Sequence, residues 1–282
     1  MARFALLLLA VPLIVAACGG GGGSAASSSP TGSTQSAATA GGLIWKGAVP
    51  KTAAGRAAEK TEASGHDAVT VKGTIVSSDT SSIDAKGAYA APDSTKLALT
   101  VRTPVTGALV GANQVFRGST LYLQSGALDS YTSGARWLSL DLAKAPSDPY
   151  ATEDPLPFTT VDPQLTLDTL RAATGEQTVG AGHYRVVVAP ALARKLALGP
   201  WAASLDRQTL DAFVGKDGRL TKVVSNAKYL TGGTPRPIQI TLTTTFAPGT
   251  GAVSAPAASV KDGTSQAVSV FRDSYTKATV PG

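Results

Sequence analysis

The chain has 282 residues with a formal net charge of +6, 16% charged residues, one cysteine and two histidines. A single cysteine excludes an internal disulfide, and a mild positive charge without a dense lysine and arginine cluster argues against nucleic-acid binding. No histidine, cysteine and aspartate spacing typical of a metal site is present, so we expect no metal, cofactor or nucleic-acid partner.

The first residues have the order of a bacterial secretory signal. Met1–Arg3 carries one positive charge, Phe4–Val15 is almost wholly apolar, and small residues precede Cys18. The apolar run is shorter than the about 20 residues that span a bilayer. This order resembles a lipobox, so we predict that residues 1–17 are a signal peptide and that Cys18 is lipidated. The alternative is an ordinary signal peptide followed by a chance cysteine.

Residues 19–42 are rich in glycine, serine, alanine and threonine and contain no charged residue. Such a segment buries too little apolar surface to offset its ordering entropy. We predict that residues 18–42 form a lipidated, flexible tether to a folded domain over residues 43–250. The lipid would anchor the protein to the outer face of the cytoplasmic membrane, in the cell envelope.

The folded region begins with a predicted helix and continues with strands. The helix lies between Thr52 and Ser64 and ends at Gly65. Alternation of apolar and polar residues then indicates strands with one apolar and one solvated face. Arg117-Gly118 and Lys216–Gly218 indicate hairpin turns. The apolar positions of these strands are Val69, Val71, Ile75, Leu97, Leu99, Val101, Leu121, Leu123, Leu138, Leu140, Leu142, Ile238, Ile240, Leu242 and Phe246.

Two more helices are predicted between the strands. Asp162-Pro163 is typical of an N-cap followed by proline in the first turn, and this helix should close at Gly175. The second helix covers Ala191–Leu198. The proline-rich residues 145–161 are either a functional loop or a stiff surface connector. We predict that residues 251–282 are a tail, partly ordered at best.

The sequence offers little catalytic chemistry. His66-Asp67 could be half of an acid–base pair, but a histidine close to a helix C-terminus is the more ordinary interpretation. No nucleophile elbow is present. We therefore expect a protein that is not an enzyme and has no catalytic residue.

The order of these features resembles the LppX/LprG-like actinobacterial lipoproteins, within the wider LolA/LolB-like carriers, over about Ala57 to Phe246. The matching features are the lipobox, the tether, the first helix, the amphipathic strands, Leu121-Tyr122-Leu123, the Trp137 strand, the Asp162-Pro163 helix, Val179–Tyr184 leading into Val186–Val188, and Lys216–Leu220. The resemblance implies an α+β fold, in which helices cover the concave face of a single curved antiparallel sheet, a half-barrel. It also implies an apolar cavity between sheet and helices that binds or carries a lipid or acylated molecule.

The balance of strands and helices fits such a cavity. Three short helices must cover the apolar faces of many strands, which leaves either a thin core or a cavity lined by leucine and valine. The alternative is a filled core in a non-enzymatic interaction or structural lipoprotein, which binds an envelope protein or a cell-wall polymer. We expect a monomer in both cases. The expected cavity lining is Leu97, Leu99, Val101, Leu121, Leu123, Leu138, Leu140, Leu167, Leu170, Val186, Val188, Leu196, Ile240 and Leu242.

Overall fold

The computed structural model describes residues 49–77, 80–102, 109–145, 160–196, 205–230, 237–270 and Asp273. The predicted signal peptide, Cys18 and the predicted tether lie outside the described residues. Most of the predicted loop over residues 145–161 and the last two residues of the predicted helix Ala191–Leu198 also lie outside them.

The fold is α+β and is built on one sheet of twelve strands. In chain order the strands are β1 (His66–Val76), β2 (Thr80–Ala90), β3 (Ser94–Arg102), β4 (Leu109–Arg117), β5 (Thr120–Gln124), β6 (Trp137–Asp141), β7 (Gln177–Gly180), β8 (His183–Val188), β9 (Leu205–Val214), β10 (Leu220–Tyr229), β11 (Ile238–Pro248) and β12 (Val260–Asp262). Their order across the sheet is β12-β6-β5-β4-β3-β2-β1-β11-β10-β9-β8-β7, so the described sheet is open, with β12 and β7 at its edges. Neighbouring strands are antiparallel except β12 and β6, which are parallel. The predicted α+β class and antiparallel sheet are thereby confirmed.

Alternation along the strands separates a buried face of the sheet from a solvated one. In β1, Val69, Val71 and Ile75 are buried, whereas Lys72, on the other face, is exposed. A strand places successive side chains on opposite faces, so the period-two pattern read from the sequence is the pattern of burial. We call the buried side the inner face and the solvated side the outer face.

Glycines with a positive φ form the two predicted hairpin turns. Gly118 has a φ of +57° and joins β4 to β5, while Gly218 has a φ of +78° and joins β9 to β10. A residue without Cβ adopts this left-handed conformation at little cost, which explains glycine at both positions. Both predicted hairpins are confirmed.

The main helices are α1 (Ala53–Ala63), α2 (Asp129–Thr132), α3 (Pro163–Ala172) and α4 (Pro190–Leu196), and residues 267–270 are also helical. Thr52 caps α1, because its side chain accepts a hydrogen bond from the Gly55 amide at 2.9 Å. Asp162 caps α3 in the same way, with Pro163 in the first turn, as predicted. The closing residue was predicted wrongly: α3 ends at Ala172, because Ala173 is already extended, with a ψ of 137°.

The helices and the inner face share one apolar core. Helix α1 contacts α3 and strands β8 to β10, α3 contacts β3, and α4 contacts β9. On the same inner face the core continues to the other end of the sheet, around β4 to β6, where Phe116, Leu121 and Leu128 are fully or almost fully buried. One continuous apolar cluster therefore runs beneath the helices and across most of the strands.

The sheet extends past residue 250, where the folded domain was predicted to end. Strand β12 pairs with β6, and a 3-10 turn, Thr264–Gln266, follows it. Ala267 and Val270 are fully buried and belong to the apolar cluster. Residues 260–270 therefore belong to the fold, and Ala267 and Val270 supply part of its core.

Candidate functional site

The predicted lining side chains lie on the inner face of the sheet, except Leu167 and Leu170 of α3 and Leu196 of α4. None of them is more than 6% exposed, and all except Leu196 belong to the same apolar cluster. The set comprises Leu97, Leu99, Val101, Leu121, Leu123, Leu138, Leu140, Leu167, Leu170, Val186, Val188, Leu196, Ile240 and Leu242. Because these side chains are shielded from solvent, a guest molecule would reach them only if the elements around them moved apart.

Helix α1 covers its part of the cluster with small side chains. Its buried positions are Ala54, Gly55, Ala57, Ala58 and Thr61. Each buried methylene contributes about 0.8 kcal/mol, so an alanine-faced helix gains much less from burial than a leucine-faced helix of equal length. Apolar packing therefore binds α1 to the sheet only weakly.

Polar contacts supply much of the remaining attachment of α1. The Glu176 carboxylate accepts hydrogen bonds from the amides of Ala53 at 2.7 Å and Ala54 at 3.0 Å, at the N-terminus of the helix. The Leu220 amide donates to the Thr61 hydroxyl oxygen at 2.8 Å. Near the C-terminus, Glu62 forms an ion pair with Arg171 of α3.

A buried polar cluster lies beside α3. The Tyr89 hydroxyl donates to Gln164 Oε1, and Gln164 Nε2 donates to Asp168 Oδ1 at 2.9 Å. Asp162, 4% exposed, accepts from the Thr95 hydroxyl at 2.9 Å. Burial raises the pKa of Asp162 to about 6 and raises the pKa of the Tyr89 hydroxyl. These groups bind one another and hold the start of α3 against β2 and β3.

Gln114 is a functional candidate that the sequence analysis missed. Its side chain is 0% exposed, and neither Oε1 nor Nε2 has a hydrogen-bond partner within the described part of the chain. Phe116, two residues later in β4, is also buried, and Gln114 lies on the inner face with it. Alternation alone does not identify Gln114, because Val115 and Phe116 are neighbours in β4 and both are buried. The pairing of Gln114 with Leu97 and Leu123 shows which face it is on.

The two histidines have structural surroundings. His66 is exposed and Asp67 is 1% exposed, and as neighbours in β1 they point to opposite faces of the sheet. Asp67 forms an ion pair with Arg219, so the structure does not assemble an acid–base pair from His66 and Asp67. His183 stacks on a phenylalanine ring at 4.3 Å and has its Nε2 3.0 Å from an Asp211 oxygen.

Asp211 is the shared anion of the His183 site. Burial alone would raise its pKa, but hydrogen bonds from Arg185 and His183 outweigh burial and hold the pKa below the usual value. Across the described ranges, no three histidine, cysteine or acidic residues gather into a possible metal site. None of the helices seen in those ranges has the length and hydrophobicity to span a bilayer.

The outer face of the sheet is polar and cationic. Its lysines and arginines outnumber its aspartates among the described residues. The cations are Lys72, Lys86, Lys96, Arg102, Arg117, Arg185, Arg207, Lys222 and Lys228, and the aspartates are Asp84, Asp141, Asp206, Asp211 and Asp262. A depression of about 210 Å³ on this face, lined partly by Arg207, Asn226 and Lys228, is smaller than the about 300–1,000 Å³ of most small-molecule pockets.

A scan against protein-family models finds no match to this chain, and a search of curated proteins likewise finds none. The likeness to LppX/LprG-like lipoproteins therefore depends on the order of the sequence motifs alone.

Proposed function

We propose that this protein is a non-enzymatic envelope lipoprotein, similar to the LppX/LprG-like carriers, that binds or carries a lipid or acylated molecule. Cys18 would carry the membrane anchor, and the guest would lie between the helices and the inner face of a sheet curved as a half-barrel. The observation that carries the proposal is the continuous leucine and valine cluster on that face, covered in part by an alanine-faced helix.

A carrier of this kind does not need to bind its lipid much more tightly than the membrane does. Ten acyl methylenes buried against this cluster would gain about 8 kcal/mol relative to water. The bilayer offers a similar gain, so a carrier needs only near-parity with the membrane. Helix α1 is the part of the cover most easily moved, because its packing contributes little and its polar contacts can be replaced by water.

Lipid copurification and uptake test the proposal directly. The chain from residue 18 onward, with Cys18→Ser to prevent lipidation, is purified without detergent and extracted for mass spectrometry. We expect an acyl lipid to copurify, and we expect the delipidated protein to take up the fluorescent fatty acid cis-parinaric acid. If the protein carries no lipid and takes up no probe, the proposal is wrong.

Two alanine variants locate the site. Ala85 is fully buried on the inner face, between Val71 and Leu99 on the neighbouring strands, whereas Ala98 is exposed on the outer face. Ala85→Leu fills space that the guest would occupy and should lower uptake severalfold, while Ala98→Leu should leave it unchanged. Circular dichroism verifies that both variants fold, since overpacking a core can destabilise it by about 1–3 kcal/mol. Equal uptake by the two variants would place the probe elsewhere.

A second candidate function is an interaction lipoprotein with a filled core that binds an anionic cell-wall polymer. The full burial of the lining residues and the cationic outer face favour it. Polyphosphate serves as the probe, because binding through dispersed cations weakens steeply with salt. This candidate requires that polyphosphate binding weaken with salt and that it fall when Lys72, Lys86 and Lys96 are together replaced by glutamine. It also requires that the protein take up no lipid.

A further inference from the structure

The side chain of Gln114 lies in the leucine-lined interior without a hydrogen-bond partner in the ranges that the structure describes. Gln114 of β4 is paired across the sheet with Leu97 of β3 and with Leu123 of β5, both of which belong to the predicted lining. Its side chain is 0% exposed, and its amide oxygen and nitrogen both lack hydrogen-bond partners among the described residues.

The amide is unfavourable where it stands. A glutamine side chain carries two donors and a carbonyl acceptor, and burying them unpaired destabilises the folded protein. An apolar side chain of similar volume would remove that penalty. The other buried polar side chains around α3 bind one another, as Tyr89 and Gln164 do, so the unpaired amide is a particular feature of the β3–β5 region.

We propose that Gln114 is the polar contact of the lipid site and binds a neutral ligand group that both donates and accepts a hydrogen bond. This inference rests on the proposed function. An ester carbonyl accepts but does not donate, so it would satisfy Nε2 and leave Oε1 unpaired. A hydroxyl or a primary amide pairs with both atoms, and a carboxylate would have to bury its charge among leucines. The ligand class is therefore a long-chain molecule with a hydroxyl or amide group on or beside its chain.

The position of Gln114 fits this role. Leu97 and Leu123 flank it on the same face, so a chain lying across β3, β4 and β5 would place a polar group at the amide and methylenes on the leucines. Two hydrogen bonds would orient the guest and contribute selectivity, while apolar contact supplies affinity.

Matched ligands test the proposal. The chain from residue 18 with Cys18→Ser is titrated with 1-hexadecanol and with hexadecane, each delivered from cyclodextrin, and binding is measured by displacement of the uncharged fluorophore 1,6-diphenyl-1,3,5-hexatriene. The ratio of the two affinities isolates the hydroxyl. In Gln114→Met, which keeps the length of the side chain but removes both hydrogen bonds, the preference for hexadecanol should fall about tenfold or more, as expected for the loss of two hydrogen bonds.

Asn113→Leu is the matched control. Asn113 is the preceding residue of β4, exposed on the outer face with its Nδ2 3.4 Å from Gln124 Oε1. Its loss should leave the preference unchanged. Gln114→Leu provides a second apolar variant, and near-ultraviolet circular dichroism establishes that each variant folds.

The outcomes separate two failures. If the parent protein binds both ligands and the preference is the same in Gln114→Met and Gln114→Leu, the role of Gln114 is wrong while the lipid site stands; a buried water then satisfies the amide. If the parent protein binds neither ligand, the proposed function itself is overturned, and the Gln114 site with it.

Discussion

Asp162 is a buried carboxyl whose surroundings favour its protonated form. It is 4% exposed, and it accepts hydrogen bonds from the Thr95 hydroxyl at 2.9 Å and the Gln164 amide at 3.2 Å. Burial raises the pKa of Asp162 more than these two hydrogen bonds lower it, so the pKa is about 6. The residue therefore both caps α3 and makes its stability depend on pH.

The free energy of unfolding should fall as pH rises from about 4 to about 6. In the unfolded chain Asp162 loses its proton near pH 3.9, whereas the folded protein keeps it to about pH 6. Between these values the folded state binds more protons than the unfolded state. The contribution of protonated Asp162 to the free energy of unfolding is therefore fully present below about pH 4 and is lost above about pH 6. It amounts to at most about 3 kcal/mol. Asp162→Asn keeps an accepting oxygen without titrating, and urea unfolding at about pH 5 and about pH 7 measures the difference.

The wild type should therefore lose stability from about pH 5 to about pH 7, whereas the free energy of unfolding of Asp162→Asn should not show this loss. The stability of the variant relative to the wild type should thus rise over this pH range. Asp162→Ala is the control, because it loses the cap and should be destabilised by about 1–2 kcal/mol relative to the asparagine variant at both values. A wild-type-to-asparagine difference that does not change with pH would contradict the raised pKa.

Single residues show where reading the sequence succeeds and where it stops. The Asp-Pro pair predicts the cap of α3, because capping is a local interaction. Its burial depends on Thr95, far away in the chain, and no local pattern shows that. Gln114 was missed because a polar residue in a strand is ordinarily solvated, and only its pairing with Leu97 and Leu123 identifies it as inward-facing.

Helix α1 depends on a residue from outside the helix. The Glu176 carboxylate binds the amides of Ala53 and Ala54, which have no partner within the helix because they lie in its first turn. The negative charge also lies at the positive end of the helix dipole. Because α1 buries mainly alanine, this contact should be a large part of its attachment.

Glu176→Ala should lower the free energy of unfolding by about 2–3 kcal/mol, since hydrogen bonds to charged groups contribute more than neutral ones. Glu176→Gln keeps one accepting oxygen but loses the charge, so it should lose about half as much. Urea unfolding at neutral pH measures both. The control is Glu59→Ala on the exposed side of α1, where a change within about 0.5 kcal/mol is expected. Equal effects of Glu176→Ala and Glu59→Ala would show that Glu176 does not hold the helix.

Helices and hairpins that are specified by neighbouring residues could be predicted from the sequence, whereas a strand of weak β-propensity, which forms through pairing with other strands, could not. Helix α1 and the hairpins at Gly118 and Gly218 follow from caps and turns and lie where predicted. Strand β2 was not predicted, because its serine, alanine and glycine residues carry weak β-propensity. It forms because it pairs along its whole length with β1 and β3, which is a tertiary effect.

At the scale of the whole molecule, both edges of the sheet end in short strands. Strand β7 has four residues and β12 has three, and short edges limit pairing with other chains. The two edges differ in their surroundings. Strand β7 is exposed throughout, whereas β12 leads into residues that cover the core beside β6. The sequence predicts more apolar sheet surface than the helices can cover. A C-terminal segment of the chain can cover that surface as well as a guest molecule can, and the sequence alone does not distinguish the two.

Residues 251–270 should be required for a stable domain. Strand β12 pairs with β6, and Ala267 and Val270 are fully buried in the cluster that contains Leu138. Ending the chain at residue 250 would expose Leu138 and remove the burial of Val270, each worth about 1.5–3 kcal/mol. The truncated chain should therefore lose at least about 3 kcal/mol of unfolding free energy in urea.

Two valine variants separate core packing from mere chain length. Val270→Ala removes two buried carbons and should cost about 1–2 kcal/mol, whereas Val260→Ala, at a position 40% exposed on β12, should change stability by less than about 0.5 kcal/mol. If the truncated chain is as stable as the complete one, the domain ends at residue 250, and the inner face beside β6 needs no cover from the C-terminal segment. If it is destabilised and Val270→Ala accounts for a substantial part of the loss, the C-terminal segment closes the apolar face at the β12 edge. Any opening for a guest then lies at the helix-covered side, where α1 is held by small side chains and Glu176.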